Sequence, residues 1–158
     1  MSNPNKDVIS VLNDLIEFSK DGEKGFKTAA EDVKNPGLKT YFMQRIGECS
    51  TAVSELQHQV RALGGDPETS TSVSGDLHRG WVNLKSMLTG KDEVAVLNEV
   101  ERGEDHALKA YKDALEKLAK LTLAPGSEVI ALVERQYHGV QRNHDQVKAL
   151  RNQARAQA

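Results

Sequence analysis

The sequence predicts an all-α protein: a bundle of four long helices, with a long crossover that carries a short fifth helix. Three observations carry this. Apolar residues recur at spacings of three, four and seven over long stretches, the signature of one buried helix face. No segment of strand length alternates apolar with polar residues. Pro4, Pro36, Pro67 and Pro125 each stand at or near the edge of a periodic stretch, where they punctuate rather than interrupt.

The first helix, expected over about 7–34, carries Val8, Leu12, Leu15, Ile16, Phe26, Ala30 and Val33 on one face, and Asn35-Pro36-Gly37 turns the chain. The second, about 36–63, repeats the pattern with Leu38, Phe42, Ile46, Cys49, Val53, Leu56, Val60 and Leu63. Gly64-Gly65 supplies its C-terminal stop. Asp66 to Gly75 is rich in Ser and Thr and reads as a loop. Leu77, Trp81, Leu84 and Leu88 then make a short amphipathic helix, about 75–89, ended by Gly90. The third long helix, about 92–121, rests on Leu97, Val100, Leu108, Tyr111, Leu115 and Leu118. Ala124-Pro125-Gly126-Ser127 breaks the chain, with Ser127 a good N-cap. The last helix, about 127–153, uses Val129, Val133, Val140, Val147 and Leu150.

Connectivity follows from loop lengths. A tight turn makes helices one and two antiparallel neighbours, and the same holds for the last pair. The stretch between the pairs is long enough to run back along the bundle. Two helical hairpins joined by one long crossover is the ferritin-like connectivity, whereas an up-down-up-down bundle needs only short loops. A faint internal repeat agrees: Gly22-Glu23 matches Gly103-Glu104, and Gln59-Val60-Arg61-Ala62-Leu63 matches Gln146-Val147-Lys148-Ala149-Leu150.

Composition excludes several classes. The 158 residues point to one domain, 38 % are apolar, and 21 basic against 23 acidic residues leave a net charge of −2. Binding to nucleic acid through bulk positive charge is not expected. No apolar run approaches the roughly 18 to 20 residues needed to span a bilayer. Met1 to Asp7 shows no apolar segment after a basic one, so no secretory signal is expected. A single cysteine, Cys49, forms neither an intramolecular disulfide nor a cysteine cage, which fits a reducing cytoplasm.

The informative residues are polar ones that break the apolar stripes. At about 100° per residue, Glu23 lies about 40° from Ser19, inside the first stripe, and Glu104 sits at the centre of the third. Arg45 falls within the second stripe with Glu48 on its flank, and Gln136, Asn143 and His144 fall near the fourth. Glu101 lies on the shoulder of the third. A buried carboxylate has to be paired, hydrogen-bonded, protonated or metal-bound. Two readings stay open. Carboxylates and a histidine from facing helices (Glu23, Glu48, Glu104 and His144) hold one or two transition ions, iron or manganese. Alternatively Arg45 neutralises Glu23 or Glu104 in a buried ion-pair network.

Other motifs point to surface or packing. Glu55 and His58 have a ligand-like spacing but face away from the core, as do Glu134 and His138. Cys49 sits on a core stripe as a packing residue. Trp81 is expected to anchor the crossover helix, or else to be a contact for a partner. Lys148, Arg151 and Arg155 give a basic helix end that suits the helix dipole. There is no phosphate-binding glycine loop, nucleophile elbow or nucleophile–base pair, so no catalytic residue is assigned.

Asp21-Gly-Glu-Lys-Gly-Phe26, Leu77-His-Arg-Gly-Trp81, Glu101-Arg-Gly-Glu-Asp105, Glu134-Arg-Gln136 and His144-Asp145 together resemble a proteobacterial family of ferritin-like four-helix-bundle proteins of unknown function. The resemblance runs from about Val8 to Arg151. It implies a ferritin-like bundle in a bacterial cytoplasm. The wider ferritin and rubrerythrin superfamily carries one Glu on the first and third helices and Glu-x-x-His on the second and fourth. By that resemblance Glu23 and Glu104 match the single carboxylates. Glu48-Cys-Ser-Thr51 has Thr51 where His is expected, and the aligned position on the fourth helix is Arg135, with His138 three residues on. The chain departs at two of six ligand positions, and His144 is the candidate substitute. The expectation is a cytoplasmic, stress-related, homo-oligomeric bundle with a degenerate or absent di-metal centre. The alternative is a di-iron or di-manganese carboxylate protein in oxidant handling or metal storage.

Overall fold

The computed structural model describes residues 4–68, 75–88, 90, 92–121, 123 and 127–157. Five α-helices follow in order: α1 (Pro4–Asp32), α2 (Pro36–Ala62), α3 (Gly75–Met87), α4 (Glu93–Ala119) and α5 (Glu128–Gln157). No strand occurs among the described residues. The expected Ser/Thr loop beyond residue 68, the Leu77 side chain and the Ala124-Pro125-Gly126 break lie outside the described residues.

Local chemistry sets the boundaries. Asn35 caps α2 by accepting the Leu38 amide at 3.0 Å, and its Nδ2 donates to Glu93 Oε1, which ties the first hairpin to the start of α4. Asp92 caps α4 through the Ala95 amide at 3.0 Å. At the end of α2 the Gly64 amide donates to Arg61 O and the Gly65 amide to Val60 O, a paired arrangement that needs the left-handed conformation Gly64 adopts (φ 83°). The Ser127 carbonyl accepts the Ala131 amide and starts α5. Two boundaries depart from expectation. α1 begins at Pro4, because proline in a first turn forfeits no intrahelical bond. α5 runs on to Gln157, because Ala154 packs on the core and Arg151 is anchored to Glu101 on α4.

α1 packs on α2 and α4 on α5, with α1 against α4, α2 against α5, and α3 laid across α1 and α4. The apolar core divides in two. One cluster joins Val8, Leu12 and Ile16 to Leu56, Val60, Tyr111, Leu118 and Val133. The other joins Phe26, Tyr41 and Phe42 to Leu84, Leu97, Val100 and Val147. Ser19, Glu104 and Asn143, buried polar residues on α1, α4 and α5, fall in the chain between the two clusters. The bundle therefore has a polar waist.

Candidate functional site

Arg45 and Glu104 meet in this waist. Arg45 is 7 % exposed and Glu104 2 %. Arg45 donates from Nε at 3.3 Å and from Nη2 at 3.2 Å to the same oxygen, Glu104 Oε1. Its Nη1 lies 3.5 Å from Glu48 Oε1, and the guanidinium stands 5.0 Å from the centre of the Phe26 ring. Burial, the largest single influence, lowers the guanidinium's proton affinity, but Glu104 together with Cys49, Tyr41 and Glu48 outweighs it and the net shift is upward. Burial dominates at Glu104 and raises its carboxyl, although Arg45 and the Tyr41 hydroxyl pull the other way. Tyr41 Oη and Glu104 Oε2 are both buried, and the Tyr41 hydroxyl acts on the Glu104 carboxyl as a hydrogen-bond donor.

Beside this pair lies a cavity of about 90 Å³. Phe18, Phe26, Trp81, Leu84, Val100 and Tyr111 supply apolar wall, while Ser19, Arg45, Cys49 and Glu104 also line it. The Cys49 thiol is pushed up to about 11 by burial, so it stays a thiol rather than a thiolate nucleophile. α3 closes one side. The Trp81 indole stands edge-on to Phe26 with ring centres 5.0 Å apart, and its Nε1 donates to Asp21 Oδ2 at 3.1 Å. A Cβ on Gly25 would fall 2.1 Å from Trp81 Cε2, so the indole rests directly on the α1 backbone. Trp81 thus packs α3 onto α1, as the sequence suggested.

A second polar chain crosses from α4 to α2. Tyr111 Oη donates to Gln136 Oε1 at 2.8 Å, and Gln136 Nε2 donates to Glu55 Oε1 at 3.3 Å. Arg135 Nη2 in turn donates to Glu55 Oε2 at 2.5 Å. Burial pushes the Tyr111 hydroxyl up to about 12, so it acts here as a neutral donor. Glu55 therefore bridges α2 to α5 rather than simply facing water, which the helix-face count missed because its partner Arg135 sits on another helix.

The four residues considered as metal ligands are not brought together. Glu104 is buried against Arg45, while Glu48 is exposed on the flank of the same arginine. Glu23 is only half-buried and enters no ion pair among the described residues. The neighbouring Gly22 faces α2, where a Cβ would lie 3.3 Å from Cys49 Sγ. So the expected choice between Glu23 and Glu104 as partner of Arg45 falls to Glu104. His144 turns toward α4, with Nε2 2.7 Å from Asp105 Oδ1 and 3.7 Å from Glu101 Oε1. It therefore belongs to a flank cluster with Glu101 and Arg151. Among the described residues no group of three or more His, Cys, Asp and Glu side chains is arranged to hold a metal ion. A guanidinium among the carboxylates adds positive charge where a di-metal centre needs negative ligands, so the residues present do not fit such a centre. His58, Glu134 and His138 are exposed, His138 beside Gln141 Oε1 at 3.0 Å.

Tyr41 was not singled out from the sequence, and Tyr111 and Gln136 were placed on inward stripes without being paired. Tyr41 stands four residues before Arg45, hence on the same helix face, and that spacing was the available signal. Among the described residues no helix is long and apolar enough to cross a membrane.

Comparison with known proteins places this geometry. No curated protein matches the sequence. Three chains of solved structure match. One is the "ferritin like, diiron-carboxylate proteins from Bacillus anthracis str. Ames", 19 % identical with a TM-score of 0.72, covering 95 % of this chain and 99 % of that one. At that identity the likeness carries the fold, which is a ferritin-like helical bundle. A domain of unknown function, DUF2383, matches residues 7–117, a stretch holding Glu23, Arg45, Trp81 and Glu104 but not His144. The chain belongs to the DUF2383 family.

Proposed function

We propose that this protein is a ferritin-like bundle whose waist is neutralised by an arginine instead of a di-metal centre, and that it works as a non-catalytic bundle protein. The observation that supports this reading is the doubly hydrogen-bonded Arg45–Glu104 pair, buried where the two hairpins face each other. Burying a carboxylate demands a partner, and the guanidinium meets that demand from within the chain. A cytoplasmic location, a stress-related role and a homo-oligomeric state belong to the same proposal on family resemblance alone.

The competing reading, a di-iron or di-manganese protein in oxidant handling or metal storage, draws on the printed name of the Bacillus anthracis structure. Elemental analysis of untagged protein from iron- and manganese-supplemented cells separates the two. The arginine reading expects no stoichiometric metal, and the same absence in a Glu23→Ala/Glu104→Ala control. One or two equivalents per chain, lost in the control, would overturn it.

A further inference from the structure

The inner polar groups on the wall of the cavity beneath α3 are bonded to protein partners. Arg45 donates twice to Glu104, and the Tyr41 hydroxyl acts on the same carboxyl as a donor. The Trp81 Nε1 donates to Asp21. The Tyr111 hydroxyl donates to Gln136, while the Ser19 hydroxyl donates to Tyr111. Cys49 keeps its proton and packs as a small apolar group. Glu99 and Arg102 pair at 4.0 Å with the Arg102 side chain 66 % exposed, so their charge lies toward the outer rim, where half-buried His106 stands one turn on. The rest of the inner wall is apolar, with Phe18, Phe26, Leu84, Val100 and Val140 among it. A buried water needs about two to four polar partners, and here it would have to take them from bonds already made.

We propose that this cavity is a binding site for a small apolar molecule, a hydrocarbon of about three or four carbons, held between Phe26, Trp81 and Val100 by contact alone. Size and class have separate grounds. A cavity of roughly 150 Å³ takes benzene, so about 90 Å³ holds about three or four carbons in proportion. The ligand is apolar because a hydroxyl or a charge carried inside would lose its hydration and find no open partner on the inner wall. A hydrocarbon loses nothing of that kind and gains contact with aromatic and aliphatic side chains that otherwise face a void. The proposal rests on the reading above, because an Arg45–Glu104 pair closed on itself is what leaves the inner wall without an open polar group.

The chain has one tryptophan, so the Trp81 indole N–H gives a single assignable NMR signal at the cavity wall. The probes are propane, titrated under pressure, and ethanol, which has the same number of heavy atoms but carries a hydroxyl. Propane is expected to shift the Trp81 indole and the Ala107 amide saturably, in the millimolar range that so few atoms allow, with ethanol at least about tenfold weaker. Ethanol binding as tightly as propane would reveal an open polar partner in the wall, and no saturation by propane would reveal a filled or hydrated space; either result overturns the proposal. Ala107→Val enlarges a wall residue that is 3 % exposed and should abolish the propane shifts. Unchanged shifts in that variant, folded by circular dichroism, would place the binding elsewhere and refute this site; if the variant does not fold, the comparison in the unaltered protein decides alone. Metal content measured on the same samples separates the failures. Stoichiometric metal refutes the arginine reading and this site with it, whereas metal-free protein that does not select propane refutes the apolar site alone.

Discussion

Replacing Gly25 with alanine tests how α3 is held to the bundle. The new Cβ would lie 2.1, 2.3 and 2.4 Å from Trp81 Cε2, Cδ2 and Cζ2. Ordinary carbon contacts need about 3.5–4.0 Å, so the indole has to retreat by roughly 1.5 Å. From 3.1 Å that carries Nε1 out of hydrogen-bond range of Asp21, and it opens the edge-on contact with Phe26. The part-buried hydrogen bond to a carboxylate contributes about 1.5 kcal/mol and the aromatic pair about 0.5–1.5. Against this, alanine in a helix interior is better than glycine by about 1 kcal/mol. The net expectation is a loss of about 1–2 kcal/mol, a fall in Tm of roughly 2–8 °C for a domain of this size.

The sign should reverse when the indole is absent. In a Trp81→Ala background the added methyl meets no ring, and Gly25→Ala should stabilise by about 1 kcal/mol through helix propensity alone. Urea denaturation followed by helical circular dichroism on the four proteins gives the coupling, expected at about 2–3 kcal/mol. The same effect of Gly25→Ala in both backgrounds would refute the claim that Trp81 rests on the α1 backbone, whatever its size.

Two further perturbations address the waist. Glu104→Leu leaves the Arg45 charge buried with only the exposed Glu48 nearby and should cost about 3–5 kcal/mol, while Arg45→Leu with Glu104→Leu should recover most of it; urea midpoints in which the double variant is no better than the single one would refute the pairing. Because burial raises the Glu104 carboxyl above its ordinary 4.5, the native state keeps this proton at pH values where the unfolded chain has released it, so the contribution is full below 4.5 and is lost as pH rises through the raised native value; Glu104→Gln should flatten that stretch of the stability–pH curve, and an unchanged slope would contradict it.

The fold was legible because each level of the sequence gives the same answer. Leu12, Leu56, Leu118 and Val133 fall on their stripes by periodicity alone, and all four are buried. Asn35, Gly64 and Asp92 sit where caps and stops are needed, and each does that job. What was not legible is what depends on a second helix. Glu55 reads as solvated on α2 until Arg135 and Gln136 arrive from α5, and the role of Gly25 depends on Trp81 being seated against it. Helix-face counting reports the angle of a side chain about its own axis and says nothing about its neighbour's height or reach.

That limit explains why the waist could be located but its ligand set could not. Glu104, Arg45 and His144 all lie within about 40° of a stripe centre, yet only the first two pair with each other. The difference lies in competition among charges. His144 is drawn to Asp105 and Glu101 on the flank of α4, and Glu101 is held in turn by Arg151. Arg45, with no acidic alternative as deeply buried, runs its guanidinium along the Phe26 ring to Glu104. A carboxylate whose charge is already balanced by a guanidinium does not present the bridging geometry that draws two metal ions. An arginine at position 45 therefore supplies from within the chain the positive charge that the buried Glu104 carboxylate needs.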